Sequence, residues 1–281
     1  MKIIESARES IQGLERFIPT EHKVRYINAL LKARFDTVEA GSSVSPKAIP
    51  QMKDTLEVLK QLDLAATRSK LMVLVVNKKG ADIIAGIDEV SCLSFPFSFS
   101  TEFLKRNLNS TFQEALDNVD YIANLCARNN KTLVLYISMA FGNPYGEPWF
   151  PAQLLDSVET LQQMGIGIIP LSNVSVPLAK KAITEVYSML IPEFPDIEFG
   201  LHLHTSDDQW YEKVDAAFRQ GCRRYDGVIG GLGGCPMADK ELLGNLKTED
   251  LLQFMDLNKL TSGIDRQAFD YAKELAKRYL Y

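Results

Sequence analysis

Short β-branched runs alternate with longer segments of helical period from one end of this 281-residue chain to the other, and eight such alternations can be counted. A strand that needs a helix before the next strand can pair is the mark of βα units around a parallel sheet. The runs read as strands are 2–5, 37–41, 71–75, 89–94, 132–138, 167–171, 197–202 and 224–230. Between them the helical segments are 21–32, 49–62, 79–85, 111–129, 151–164, 177–190 and 207–220, and two more, 248–257 and 265–278, follow the last strand. Thr20 is placed to cap the first helix and Pro50 to open another at its N1 position, while Gly165 and Gly221 stand where a left-handed residue ends a helix. Eight units in about 250 residues fit a closed (β/α)8 TIM barrel better than a doubly wound sheet. The latter usually starts with a glycine-rich phosphate turn, and the sequence has neither a GxGxxG nor a Walker-type loop. With no linker-like tract or repeat, residues 1–281 are expected to form one α/β domain, a TIM barrel with extra C-terminal helices.

Charge narrows the partners. A formal net charge of −5 argues against a surface built to neutralise a phosphate backbone or an anionic membrane, so no nucleic acid and no membrane is expected as partner. The first residues, MKIIES, lack the charged and apolar regions of a secretory signal, and the longest apolar runs fall far short of a membrane helix; a soluble, cytoplasmic protein is expected. Cys92, Cys126, Cys222 and Cys235 are scattered without metal-ligand spacing or a disulfide framework.

In such a barrel the chemistry sits at the C-terminal ends of the strands, which directs attention to the residues there. His202 and His204 stand two apart at the end of the seventh strand, so both rings face one side. They read as a metal pair, or as two hydrogen-bonded polar residues. Arg8 and Glu9 close the first strand, as a functional cation and carboxylate or as a surface ion pair. Glu39 ends the second, before small residues that leave room for a ligand, unless it is only a solvated carboxylate. After the eighth strand, Gly230, Gly231, Gly233 and Gly234 surround Leu232 ahead of Cys235, a loop that lets backbone approach a ligand and puts a thiol outside the core. Cys235 is otherwise a bystander in a turn, and Asn245, just beyond, is otherwise a turn residue.

Together these segments resemble the 3-hydroxy-3-methylglutaryl-CoA lyase family of metal-dependent barrel lyases, related to homocitrate and isopropylmalate synthases. The resemblance rests on Gly231 to Pro236, the His202 and His204 pair, Gly244-Asn245-Leu246 with Thr248-Glu249-Asp250, and Val44 to Lys47 with Pro50 to Met52. It implies a divalent ion, Mg²⁺ or Mn²⁺, held by Glu9, His202, His204 and Asn245. It further implies catalytic roles for Arg8, Glu39 and Cys235, with Asn173 and Asn107 near a small acyl-CoA substrate, and a homodimer. Three positions depart from the family pattern: Arg8-Glu9-Ser10 stands for Arg-Asp-Gly, Asn173 for an acid after the sixth strand, and Thr205 for an acid after the second histidine. The implied reaction is retro-Claisen cleavage of 3-hydroxy-3-methylglutaryl-CoA into acetyl-CoA and acetoacetate. The rival readings are cleavage or condensation of a different acyl substrate, and a paralogue that binds metal or acyl-CoA without turnover.

Overall fold

A computed structural model describes the whole chain except residues 66, 174–177, 206–208 and 234–243. Eight parallel strands close on themselves in sequence order: β1 (Lys2–Glu5), β2 (Thr37–Ser42), β3 (Lys70–Leu74), β4 (Cys92–Phe97), β5 (Thr132–Ser138), β6 (Ile168–Ser172), β7 (Glu198–His202) and β8 (Arg224–Gly227). Closure is made by β8 against β1, with Ile4 opposite Asp226. This is the TIM barrel that the alternation predicts.

Strand parity sorts the side chains. Ile3, Val38, Leu71, Val73, Leu93, Leu135, Ile169 and Leu201 point outward and are buried beneath the helices. Their neighbours Ile4, Met72, Cys92 and Val134 point to the axis and, with Ile168 and Tyr136, plug the barrel. Moving toward the C-terminal ends on the same inward parity, the residues turn polar: Glu39, Ser94, Ser138, Ser172, His202 and Asp226, all buried. The site therefore begins where the apolar plug stops.

The helices are α1 (Ala7–Gln12), α2 (Thr20–Lys32), α3 (Thr55–Leu59), α4 (Lys78–Ala85), α5 (Thr101–Leu108), α6 (Phe112–Arg128), α7 (Pro151–Gln163), α8 (Lys180–Glu193), α9 (Trp210–Arg219), α10 (Thr248–Leu257) and α11 (Arg266–Leu280). Side chains start several of them: Asn77, Ser100 and Asp265 cap α4, α5 and α11, and Thr111 with Glu114 forms a capping box on α6. Gly165 and Gly221 have the positive φ that their places demanded. Among the described residues no helix is long and apolar enough to cross a membrane.

Several local expectations are corrected. Thr20 does not cap α2; Pro19 precedes it, and the Thr20 hydroxyl donates to Asp54 at 2.7 Å. The segment 49–62 is not one helix but a 3-10 turn, Pro50–Met52, followed by α3, because Asp54 leaves helical geometry to accept from Thr20 and Lys23. The fourth strand runs on through Pro96. Pairing with β3 has ended at Ser94, so the missing N–H breaks no ladder bond. The eighth strand stops at Gly227 instead of 230, since Val228 leaves the sheet to bridge Lys247 and a 3-10 turn, Ile229–Gly231, follows. Finally, α5 falls in a stretch where no helix was expected.

Below the mouth, Glu5 ties β1 to the last βα connection. Its carboxyl accepts from Ile229 N–H at 2.9 Å and from the Thr248 hydroxyl at 2.5 Å. Complete burial outweighs those two donors and pushes it up from 4.5 to about 8. The folded chain thus holds a proton that the unfolded chain releases between those values. Its stabilising contribution is complete below pH 4.5 and is lost as pH rises through 8. Thermal melts of the wild type and Glu5→Gln across this range are expected to diverge: the wild type loses stability relative to the variant by a few kcal/mol on going from acid to pH 8. Parallel profiles would contradict it.

Candidate active site at the mouth of the barrel

A cavity of about 160 Å³ opens at the C-terminal end of the barrel, with Leu74, Pro96 and Phe103 as its apolar wall. Its polar lining includes Arg8, Glu9, Glu39, Asn107, His202 and His204. A larger open groove of about 930 Å³ lies on the outer helices around Tyr121 and Asp117, but it receives none of the inward-facing strand residues.

Arg8 and Glu9 do not close β1; they ride on α1, which tips them over the mouth. Glu39 likewise does not end β2 but sits inside it, at a register shift between Glu39 and Gly41. Arg8 joins all three. Its Nε and Nη2 reach Glu39 Oε2 at 3.0 and 2.8 Å, its Nη2 reaches Glu9 Oε1 at 2.7 Å, and its Nη1 donates to Gln12 at 2.8 Å. Ser94 donates to the other Glu39 oxygen at 2.9 Å.

Burial shapes each charge. It pushes the Glu39 carboxyl up, which Arg8 only partly reverses and Glu9 reinforces. For Glu9 the same burial is overcome by Arg8 and by both histidines, leaving this carboxyl below its ordinary range. Burial would lower the Arg8 guanidinium, yet the two carboxylates raise it, so it is a fixed cation.

The two histidines are held from behind. His202 Nδ1 lies 2.9 Å from Asp226 Oδ2, its register partner on β8, and Tyr136 packs edge-on against the ring. This aspartate offsets burial and raises the His202 pKa. His204 Nδ1 lies 2.7 Å from the main-chain oxygen of Asn173, and burial, aided by His202, lowers its pKa to about 3, so the ring is neutral. The rings are 5.0 Å apart between centroids. His204 is bridged to Asn245 in antiparallel fashion, and Asn245 Nδ2 donates to Leu232 O at 2.8 Å. That bond fixes the amide's orientation. His204 Nε2 and Asn245 Oδ1 are then both buried without a partner.

The remaining predicted residues fall as follows. Asn107, on α5, lines the mouth and donates to Phe103 O at 3.0 Å. Asn173 is 2% exposed, is bonded to His204, and is absent from the cavity lining. Cys235 lies outside the described residues. Before that stretch, Gly233 (φ 80°) packs so closely that a Cβ would fall 2.2 Å from Glu9 O, so only glycine fits. Sequence reading missed Asp226 and Ser94, which inward strand parity, counted from Arg224 and Cys92, would have placed beside His202 and Glu39.

Among the described residues no three His, Cys, Asp and Glu side chains already form a metal-binding cluster. The physical reason is that Glu9 is turned to Arg8 and Gln12, and a third donor, Asn245, is an amide. The donor set nonetheless fits a cation: two buried lone pairs have no donor to meet them, and the Glu9 carboxylate, held below its ordinary range chiefly by Arg8 against burial, lines the same mouth.

Comparison with known proteins gives the family of the chain. The HMGL-like family model matches residues 2–275. The chain is 31% identical over 270 residues to mitochondrial hydroxymethylglutaryl-CoA lyase of Bos taurus, covering 95% of this chain and 82% of that one. It is 29% identical to the cytoplasmic 3-hydroxy-3-methylglutaryl-CoA lyase of Danio rerio, covering 94% and 78%. A solved HMG-CoA lyase from Acinetobacter baumannii, in complex with coenzyme A and 3-methylmalate, superposes with a TM-score of 0.90 at 26% identity over 100% of this chain and 91% of that one.

Removing Arg8 leaves two buried carboxylates without their cation. Arg8→Ala is expected to cost about 3–5 kcal/mol in urea unfolding at pH 7. The cost should shrink as the pH falls and Glu9 and Glu39 take up protons; a pH-independent loss would show that Arg8 acts by packing alone.

Proposed function

The chain belongs to the HMGL-like family, and on that premise we propose that it is a divalent-metal-dependent carbon–carbon lyase cleaving 3-hydroxy-3-methylglutaryl-CoA into acetyl-CoA and acetoacetate. One observation carries the metal site: the buried, unpartnered lone pairs of His204 Nε2 and Asn245 Oδ1, on bridged residues beside His202. Glu9, His202, His204 and Asn245 are the residues that would hold the ion, and a mixed imidazole, amide and carboxylate set suits Mg²⁺ or Mn²⁺. Bound there, such an ion supplies Lewis acidity toward the tertiary hydroxyl of the substrate.

The chain's own residues do the rest. Asp226 behind His202 and the Asn173 main chain behind His204 engage both Nδ1 atoms, which keeps each Nε2 for the front of the site. Glu39, anchored by Ser94, orients Arg8, whose positive charge faces the thioester oxygen as negative charge grows on it; one such donor is worth roughly 3–4 kcal/mol. Once the hydroxyl proton has left to a base of the cavity, the C2–C3 bond breaks into acetoacetate and the enolate of acetyl-CoA. Cys235, a thiol with an ordinary pKa of about 8.5, protonates that enolate. A cavity of about 160 Å³ has room for an acyl group and not for the whole thioester, whose nucleotide part would stay outside.

With Mg²⁺ or Mn²⁺, release of acetyl-CoA and acetoacetate from 3-hydroxy-3-methylglutaryl-CoA is expected, and chelation abolishes it. Cys235→Ser is expected to keep Mn²⁺ affinity and lose most turnover; wild-type activity in that variant would remove the thiol from the mechanism. Products from another hydroxyacyl thioester alone would reassign the substrate. Binding of coenzyme A with no turnover of any thioester would overturn the lyase assignment.

A further inference from the structure

Asn173 stands one residue beyond β6, where the sheet can no longer hold its neighbour: β6 and β7 stop pairing at Ser172 opposite His202. Its side chain continues the ladder. Asn173 Oδ1 accepts from the His204 N–H at 2.9 Å, and Nδ2 donates to the His204 carbonyl at 2.9 Å. A side-chain amide thus imitates a paired strand residue, offering one acceptor and one donor to one main-chain unit. The main-chain oxygen of Asn173 meets His204 Nδ1 at 2.7 Å. A carbonyl only accepts, so the Nδ1 bears a proton, which leaves Nε2 as the ring nitrogen that can offer a lone pair. That Nε2 is buried and has no hydrogen-bond partner. A carboxylate at this position would accept from the N–H but could not donate to the carbonyl, so the amide is the side chain that satisfies both groups.

We propose that Asn173 is a positioning residue, which clamps the main chain and ring of His204 so that Nε2 points into the ion site, and that it is neither a base nor a substrate contact. The inference rests on the metal-site reading above and extends it to a residue that the substrate does not touch. Long-range ¹H–¹⁵N correlation spectra of the metal-free wild type are expected to show His204 as the Nδ1–H tautomer; the Nε2–H tautomer would overturn the proposal without any variant being made. Mn²⁺ affinity measured by electron paramagnetic resonance is expected to fall about 10–100-fold in Asn173→Ala, with KM for the thioester at saturating Mn²⁺ unchanged. Unaltered Mn²⁺ affinity with a raised KM would make Asn173 a substrate contact and sink the clamp. If the wild type binds no Mn²⁺, the metal-site reading falls, and the tautomer of His204, kept in the wild type and mixed in Asn173→Ala, still decides whether the clamp exists.

Discussion

Closing a parallel sheet into a barrel of eight strands sends every second residue of each strand to a common axis, and nothing placed there can escape its neighbours. Low in this barrel the axis is filled by Ile4, Met72, Cys92 and Val134. Further along the same parity, Glu39, Ser94, His202 and Asp226 are buried and must satisfy one another or face a ligand. The active-site mouth follows from that constraint. Register does the fine placement: Asp226 stands opposite His202 because β8 pairs with β7 in that frame. A one-residue slip of β8 would turn Asp226 outward and leave His202 without it.

Buried charge is tolerated because it is balanced. Arg8 is shared by Glu39 and Glu9, and the uneven outcome, one carboxyl raised and the other lowered, comes from which of them also faces the imidazoles. Glu5 lies deeper and has hydrogen bonds but no cation, so it keeps a proton to about pH 8. His204 Nε2 and Asn245 Oδ1 are among the buried polar atoms left without a partner, and they belong to two residues bridged to one another.

Much of the fold was legible because alternation of strand and helix is a property of composition and period. The limits of the strands were less so: Pro96 continues β4 only because pairing with β3 has already ended, and β8 stops where Val228 turns to bridge Lys247. For the site, His202 and His204 were legible as a pair two apart on a strand. The short helix that carries Arg8 and Glu9 was not, since Ala7–Gln12 is too short to show a period. Nor was the role of Asn173, because an amide completing a ladder depends on where two other strands stop pairing.

The proposed chemistry requires the two imidazoles and one amide oxygen to share a cation. Anomalous scattering from crystals soaked in Mn²⁺ tests it directly. A single peak is expected at the barrel mouth, bonded to Nε2 of His202, Nε2 of His204 and Oδ1 of Asn245. A peak elsewhere, or none at saturating Mn²⁺, would contradict it.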